Sequence, residues 1–236
     1  MFKHLCITLN NMSKLSLFYL VFLLMLGSSC GNQNRSAESQ TASKKDLNQS
    51  VNEDIKTIVF FGNSLTAGYG VEQSEAFPAI IQGKIDSLKL PYKIVNAGLS
   101  GETTSGGKNR IGWILKNRCD IFVLELGAND GLRGIPVSET TQNLQEIVDQ
   151  VVAKNPQVKL LLAGMQVPPN MGGKYASDFN DLFPSLAKKN NMALVPFLLE
   201  GVAGNSDLNQ SDGIHPTVKG HKILADNVWK IIQPVL

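Results

Sequence analysis

From Lys56 to the C-terminus, short runs that are apolar nearly throughout alternate with longer stretches whose apolar residues recur at helical spacing. The runs are Thr57–Phe61, Lys93–Asn96, Ile121–Leu126, Val158–Gly164 and Ala193–Phe197. A strand without a polar face must be covered on both sides, which is the condition of parallel strands flanked by helices. The covering helices are visible between the runs. Phe77, Ile80, Ile81, Ile85 and Leu88 share one helical face, as do Leu144, Ile147, Val148, Val151 and Val152. Ile114 and Leu115 belong to a shorter helix, and Phe179, Leu182, Phe183 and Leu186 mark another. Pro216 is placed to open the last one, with a stripe of Ile223, Leu224, Val228, Ile231 and Ile232. The pattern predicts an α/β fold, a three-layer α/β/α sandwich around a five-stranded parallel sheet with right-handed crossovers. Ligands in such folds bind beyond the carboxyl ends of the strands.

The alternation does not extend to the N-terminus. Lys3, His4 and Lys14 precede an apolar run from Leu15 to Leu26, followed by Gly27-Ser28-Ser29-Cys30. This is the organisation of a secretory signal. The run is short for a membrane-spanning helix, although an uncleaved anchor is the alternative. Met12-Ser13-Lys14 offers a second start for the leader. Gly31 to Asp54 is polar and lacks apolar periodicity, as in a flexible tether. The expected organisation is a signal peptide over 1–29, an anchor cysteine and linker over 30–54, and one domain over 55–236. Of three cysteines, Cys6 and Cys30 lie in the leader region, leaving Cys119 alone in the domain without a disulfide partner. The formal charge of +2, with scattered basic residues, suggests no nucleic-acid surface.

Four loops carry residues with chemical potential. After the first strand run comes Gly62-Asn63-Ser64-Leu65. Ser64 is a candidate nucleophile at the rim of the sheet, or else the N-cap of the next helix. After the second comes Asn96-Ala97-Gly98-Leu99-Ser100-Gly101-Glu102, whose glycines let backbone N–H groups approach a ligand. It is not a phosphate loop, because Glu102 and Asn109 stand where the motif around Gly107-Lys108 needs Gly and Ser or Thr. After the third comes Gly127-Ala128-Asn129-Asp130-Gly131, an ordinary turn composition or a side-chain amide aimed at a developing negative charge. Before the last helix comes Asp212-Gly213-Ile214-His215-Pro216, where a turn brings the Asp carboxylate to His Nδ1 and leaves Nε2 free for a proton. His221, inside the last helical pattern, has no evident partner and is expected at the surface.

Together and in order, Gly62-Asn63-Ser64-Leu65, Gly98, Gly127-x-Asn129-Asp130 and Asp212-x-x-His215 resemble the sequence blocks of the SGNH hydrolases, also called GDSL esterases and lipases. The resemblance runs from about Ile55 to the C-terminus and is closest to the bacterial thioesterase, lysophospholipase and arylesterase branch. It implies the flavodoxin-like form of the sandwich, with Ser64 as nucleophile, His215 as general base and Asp212 orienting it. The oxyanion hole would comprise the Ser64 and Gly98 N–H groups and the Asn129 side chain, and neither a metal nor a cofactor is required. Cys30 resembles the lipidated cysteine of a bacterial lipobox, although Gly27 replaces the usual Leu. That implies an exported lipoprotein held to a membrane, in the periplasm or at the cell surface. Asn63 stands where the family has Asp, and is expected to support the loop without joining proton transfer. The segment Gly164–Gly173 is apolar and expected to line the cleft, which suits a small acyl ester, thioester or lysolipid. A carbohydrate-ester deacetylase and a non-catalytic lipid-anchored binding protein are the alternatives. An electron carrier or phospho-receiver fits the strand pattern but not a first strand ending in Gly-Asn-Ser.

Overall fold

The computed structural model describes residues 54–236, and the expected leader and Cys30 lie outside them. Five parallel strands, β1 (Lys56–Gly62), β2 (Tyr92–Gly98), β3 (Ile121–Glu125), β4 (Lys159–Ala163) and β5 (Ala193–Val195), form one sheet in the order β2-β1-β3-β4-β5. These are the five expected runs with shifted ends. The last is shortened at Val195 because Pro196 has no N–H for a ladder.

Among the described residues seven α-helices connect or follow the strands: α1 (Ser64–Ala67), α2 (Phe77–Ser87), α3 (Thr104–Ile114), α4 (Ala128–Leu132), α5 (Val137–Lys154), α6 (Gly173–Lys189) and α7 (Val218–Ile232). α2 packs beside α7, while α5 packs beside both α3 and α6, so two helical layers enclose the sheet. β1 shows how the sequence forces this. Phe60 and Phe61 are adjacent and both fully buried, so they must point to opposite faces. Phe60 meets Phe77 of α2 edge-on, with ring centroids 5.6 Å apart. Phe61 lies under the guanidinium of Arg110 on α3, 4.3 Å from ring centroid to Cζ.

The last helix departs from expectation in two ways. Thr217, not Pro216, caps it, by accepting from the Gly220 N–H, and Pro216 lies outside it in a bridge with Asn209. His221 is not at the surface but fully buried, because the inward stripe runs Gly220, His221, Leu224, Ala225, Val228 and Ile232 against α2. Its ring stacks on Phe77 at 13° and its Nδ1 accepts the Phe77 N–H at 3.3 Å. Burial pushes the imidazole down to about 4, partly countered by Glu75. Leu88 and Val152, expected on inward faces, are exposed, Leu88 being the residue that ends α2.

The register matters most for function. Gly62, the last residue of β1, is paired with Gly98 of β2 on one side and Glu125 of β3 on the other. Strand order reverses here, since β2 and β3 lie on opposite sides of β1. The crevice at such a reversal is where open α/β sheets hold ligands.

Candidate active site

Ser64 follows Gly62 by two residues and begins α1. The cap of that helix is Asn63, whose Oδ1 accepts the Leu65 N–H at 2.9 Å. Ser64 therefore has no capping task, and its Oγ lies 2.9 Å from His215 Nε2. On the far side of the imidazole, Nδ1 lies 2.7 Å from Asp212 Oδ2. The other oxygen, Oδ1, accepts the Ile214 and His215 N–H groups at 3.0 Å each. Gly213 makes this tight turn possible by adopting φ +75°. The His215 N–H, the imidazole and the Ile214 N–H together hold the Asp212 carboxyl down at about 2, although the group is half exposed. A carboxylate that stays ionised fixes the Nδ1–H tautomer and leaves Nε2 able to accept the serine proton.

Two residues not singled out in the sequence hold this loop. Gln210 donates from Nε2 to the Tyr69 and Pro216 carbonyls at 2.7 and 3.0 Å, and its own N–H reaches the His215 carbonyl at 2.7 Å. A side chain on Gly70 would start 2.2 Å from Gln210 Oε1, so the clasp needs glycine there. Tyr69 lies beside the imidazole, with ring centroids 4.6 Å apart.

Asn129 donates one amide N–H to the Glu102 carbonyl at 3.0 Å, which aims its second N–H elsewhere. Its neighbour Asp130 is fully buried and accepts from the Thr104 N–H at 2.9 Å and the Thr104 hydroxyl at 2.5 Å, locking α4 to the start of α3. Arg110 grips the Glu102 carboxylate through two nitrogens at 2.8 and 2.5 Å and bonds the Ala97 carbonyl at 2.9 Å, bracing the loop between β2 and α3.

Gly98 does not join the site. Its N–H donates to Asn96 Oδ1 at 3.0 Å, and it lines a separate groove with Gln82 and Ile94. Gly98 is glycine for a different reason: a Cβ would lie 2.3 Å from the Ala67 nitrogen. Gly101, three residues on, lines the same cavity as Ser64 and Asn129 at φ +80°, and among the described residues its N–H meets no protein acceptor. A loop with two glycines gave no sequence signal for choosing between them.

These groups face a cavity of about 640 Å³. Leu65, Tyr69, Leu132, Met165, Val167, Phe197, Leu199 and Ile214 supply its apolar walls, and Gln166 and Pro168 complete the contribution of the β4 loop. Of the expected lining segment Gly164–Gly173, the residues Met165, Gln166, Val167 and Pro168 face the cavity.

Residues 60–223 match the GDSL-like Lipase/Acylhydrolase family. The chain belongs to that family. It is 37% identical over 182 residues to Esterase TesA of Pseudomonas aeruginosa, covering 77% of this chain and 90% of that protein. It is 38% identical over 181 residues to Thioesterase 1/protease 1/lysophospholipase L1 of Escherichia coli, covering 76% of this chain and 85% of that one. Among solved structures, the psychrotrophic esterase EstA of Pseudoalteromonas, inhibited by monoethylphosphonate, superposes with a TM-score of 0.72 at 33% identity, over 76% of this chain and 98% of that one. This GDSL-family protein is thus a serine hydrolase of esters or thioesters on the expected five-stranded sandwich.

Proposed function

We propose that Ser64 is the nucleophile, His215 the general base and acid, and Asp212 the residue that orients His215. His215 Nε2 takes the Ser64 proton as Oγ bonds to the carbonyl carbon, and the carbonyl electron pair moves to oxygen. The Ser64 N–H, free because it opens a helix, the Gly101 N–H and the second Asn129 N–H bind that oxygen. His215 then gives its proton to the leaving alcohol or thiol, an acyl-serine remains, and water repeats the sequence to release the acid. The observation that carries this reading is the unbroken hydrogen-bonded run from Ser64 Oγ through His215 to Asp212, at 2.9 and 2.7 Å.

The substrates are esters or thioesters of short-to-medium acyl chains, or lysophospholipids. Apolar walls on a cavity of about 640 Å³ favour an acyl chain over a sugar, and the relatives are named as esterase, thioesterase and lysophospholipase. Gly27-Ser28-Ser29-Cys30 behind the apolar run supports export and lipid attachment at Cys30, with 31–54 as tether. A fluorophosphonate probe applied to wild type and Ser64→Ala, followed by an acyl-length series of aryl esters, lysolipid and acetylated glycans, tests the proposal. Labelling of wild type alone, with turnover favouring short-to-medium acyl esters, is expected. Folded wild-type protein that resists the probe would end the serine mechanism.

A further inference from the structure

Beneath the turn that carries Ser64 lies a fully buried carboxylate, Glu125, the last residue of β3. The site as described does not use it. Its oxygens collect four donors, all from the two residues that bracket Ser64-Leu65. Oε2 accepts from the Asn63 N–H at 3.1 Å, the Thr66 N–H at 3.3 Å and the Thr66 hydroxyl at 2.8 Å. Oε1 accepts from the Asn63 side-chain amide at 2.8 Å. Gly62 belongs to the same construction, since a Cβ there would lie 2.5 Å from Glu125 Oε2 and 2.2 Å from the Thr66 hydroxyl. Asn63 cannot turn its amide around, because its Oδ1 is committed to the Leu65 N–H at 2.9 Å.

We propose that Glu125 is a positioning residue for the nucleophile, and that Asn63 is its neutral partner, the two acting as one donor–acceptor unit. The inference rests on Ser64 being the nucleophile. The carboxylate holds Asn63 and Thr66, and through them fixes where Ser64 Oγ sits relative to His215. The pairing also explains how this chain accommodates Asn63. An aspartate there would set carboxylate against carboxylate across 2.8 Å, and the two would have to share a proton. With asparagine, Oε1 meets a donor and no proton has to be shared between two acids. The groups acting on Glu125 are Thr66 and Asn63, with no charged side chain among them, and burial opposed by these donors leaves the carboxyl at about 7.

Exchange of the partners tests this. In Glu125→Gln the oxygen must serve the three donors at the Oε2 position, which turns the new NH₂ onto the Asn63 NH₂. The expected outcome is a fall in kcat of about tenfold or more on an aryl ester, with KM changed less than about twofold, and an equal slowing of fluorophosphonate labelling. The double variant N63D/E125Q restores a matched pair with the roles reversed, and kcat should return to within about threefold of wild type. Asn63→Asp alone should lose turnover at alkaline pH as the shared proton leaves, a limb absent from wild type. Wild-type turnover in Glu125→Gln, or a double variant no better than the singles combined, overturns the proposal. If Glu125→Gln does not fold, an Asn63→Asp pH profile that superimposes on wild type overturns it equally. Loss of labelling in wild type would instead remove Ser64 as nucleophile, so the two failures are distinguishable.

Discussion

Replacing His221 by Gln should change how stability depends on pH while leaving the packing nearly intact. Gln offers an oxygen to the Phe77 N–H that now bonds Nδ1, but it does not titrate. In the folded protein His221 is held at about 4 by burial, against an ordinary 6.5. Between those limits the unfolded chain binds a proton that the folded one refuses, so folding stability is lost as pH falls from 6.5 to 4. At 1.36 kcal/mol per pH unit the whole span is about 3 kcal/mol. Glu125 works in the opposite direction. Burial raises it from 4.5 to about 7, so the folded protein keeps a proton the unfolded one has released, and stability falls as pH rises through that window. Over pH 4.5–6.5 the two contributions oppose each other, and wild type should show a nearly flat profile from this pair. Asp212, held near 2, contributes only below about pH 4. Urea unfolding at pH 4.5, 5.5, 6.5 and 7.5 would read the difference between His221→Gln and wild type. In the variant the Glu125 slope stands alone, so stability should decline from pH 4.5 to 7 by about 3 kcal/mol. A constant difference between variant and wild type across the series would refute the claim that this histidine is kept neutral by burial.

Two further outcomes follow from the site. Asn129→Ala removes the proposed side-chain donor to the developing oxyanion while sparing the backbone, and should lower kcat by about 10²–10³ with little change in KM, as measured on an aryl ester. Gly62→Ala places a methyl group 2.2 Å from the Thr66 hydroxyl and 2.8 Å from the Glu125 carbonyl, neither of which can withdraw without breaking the turn. It should cost about 3 kcal/mol in thermal or urea unfolding and slow probe labelling of Ser64.

Much of the architecture was legible because apolar runs and helical stripes are local patterns. Phe60-Phe61 reads as part of a strand buried on both faces, and the structure supplies Phe77 and Arg110 as the partners on the two layers. His221 reads as a surface residue in the sequence because a single polar residue in a stripe is ambiguous. What buries it is the close approach of α7 to α2, and the only local hint was that residues 221, 224, 225, 228 and 232 repeat at helical spacing. Glu125 was hidden inside an apolar run, and a lone acid at the end of a strand shows nothing of the four donors it meets. The family resemblance points to Gly98, and sequence order cannot say which backbone N–H in that loop is already occupied.

The sequence by itself determined the layer order, the crevice at the end of β1, and the residue types available there: a serine, a histidine with an aspartate three positions before it, and an amide. These follow from periodicity and from side-chain chemistry, both of which act within a few residues. Only the tertiary structure decided that Ser64 and His215, 151 positions apart, come within 2.9 Å, and that the neighbour of that serine is matched to a carboxylate 62 positions away. Such pairings are set by strand register and by the packing of helices on the sheet. Those are collective outcomes of burying one core, and no local stretch of chain encodes them.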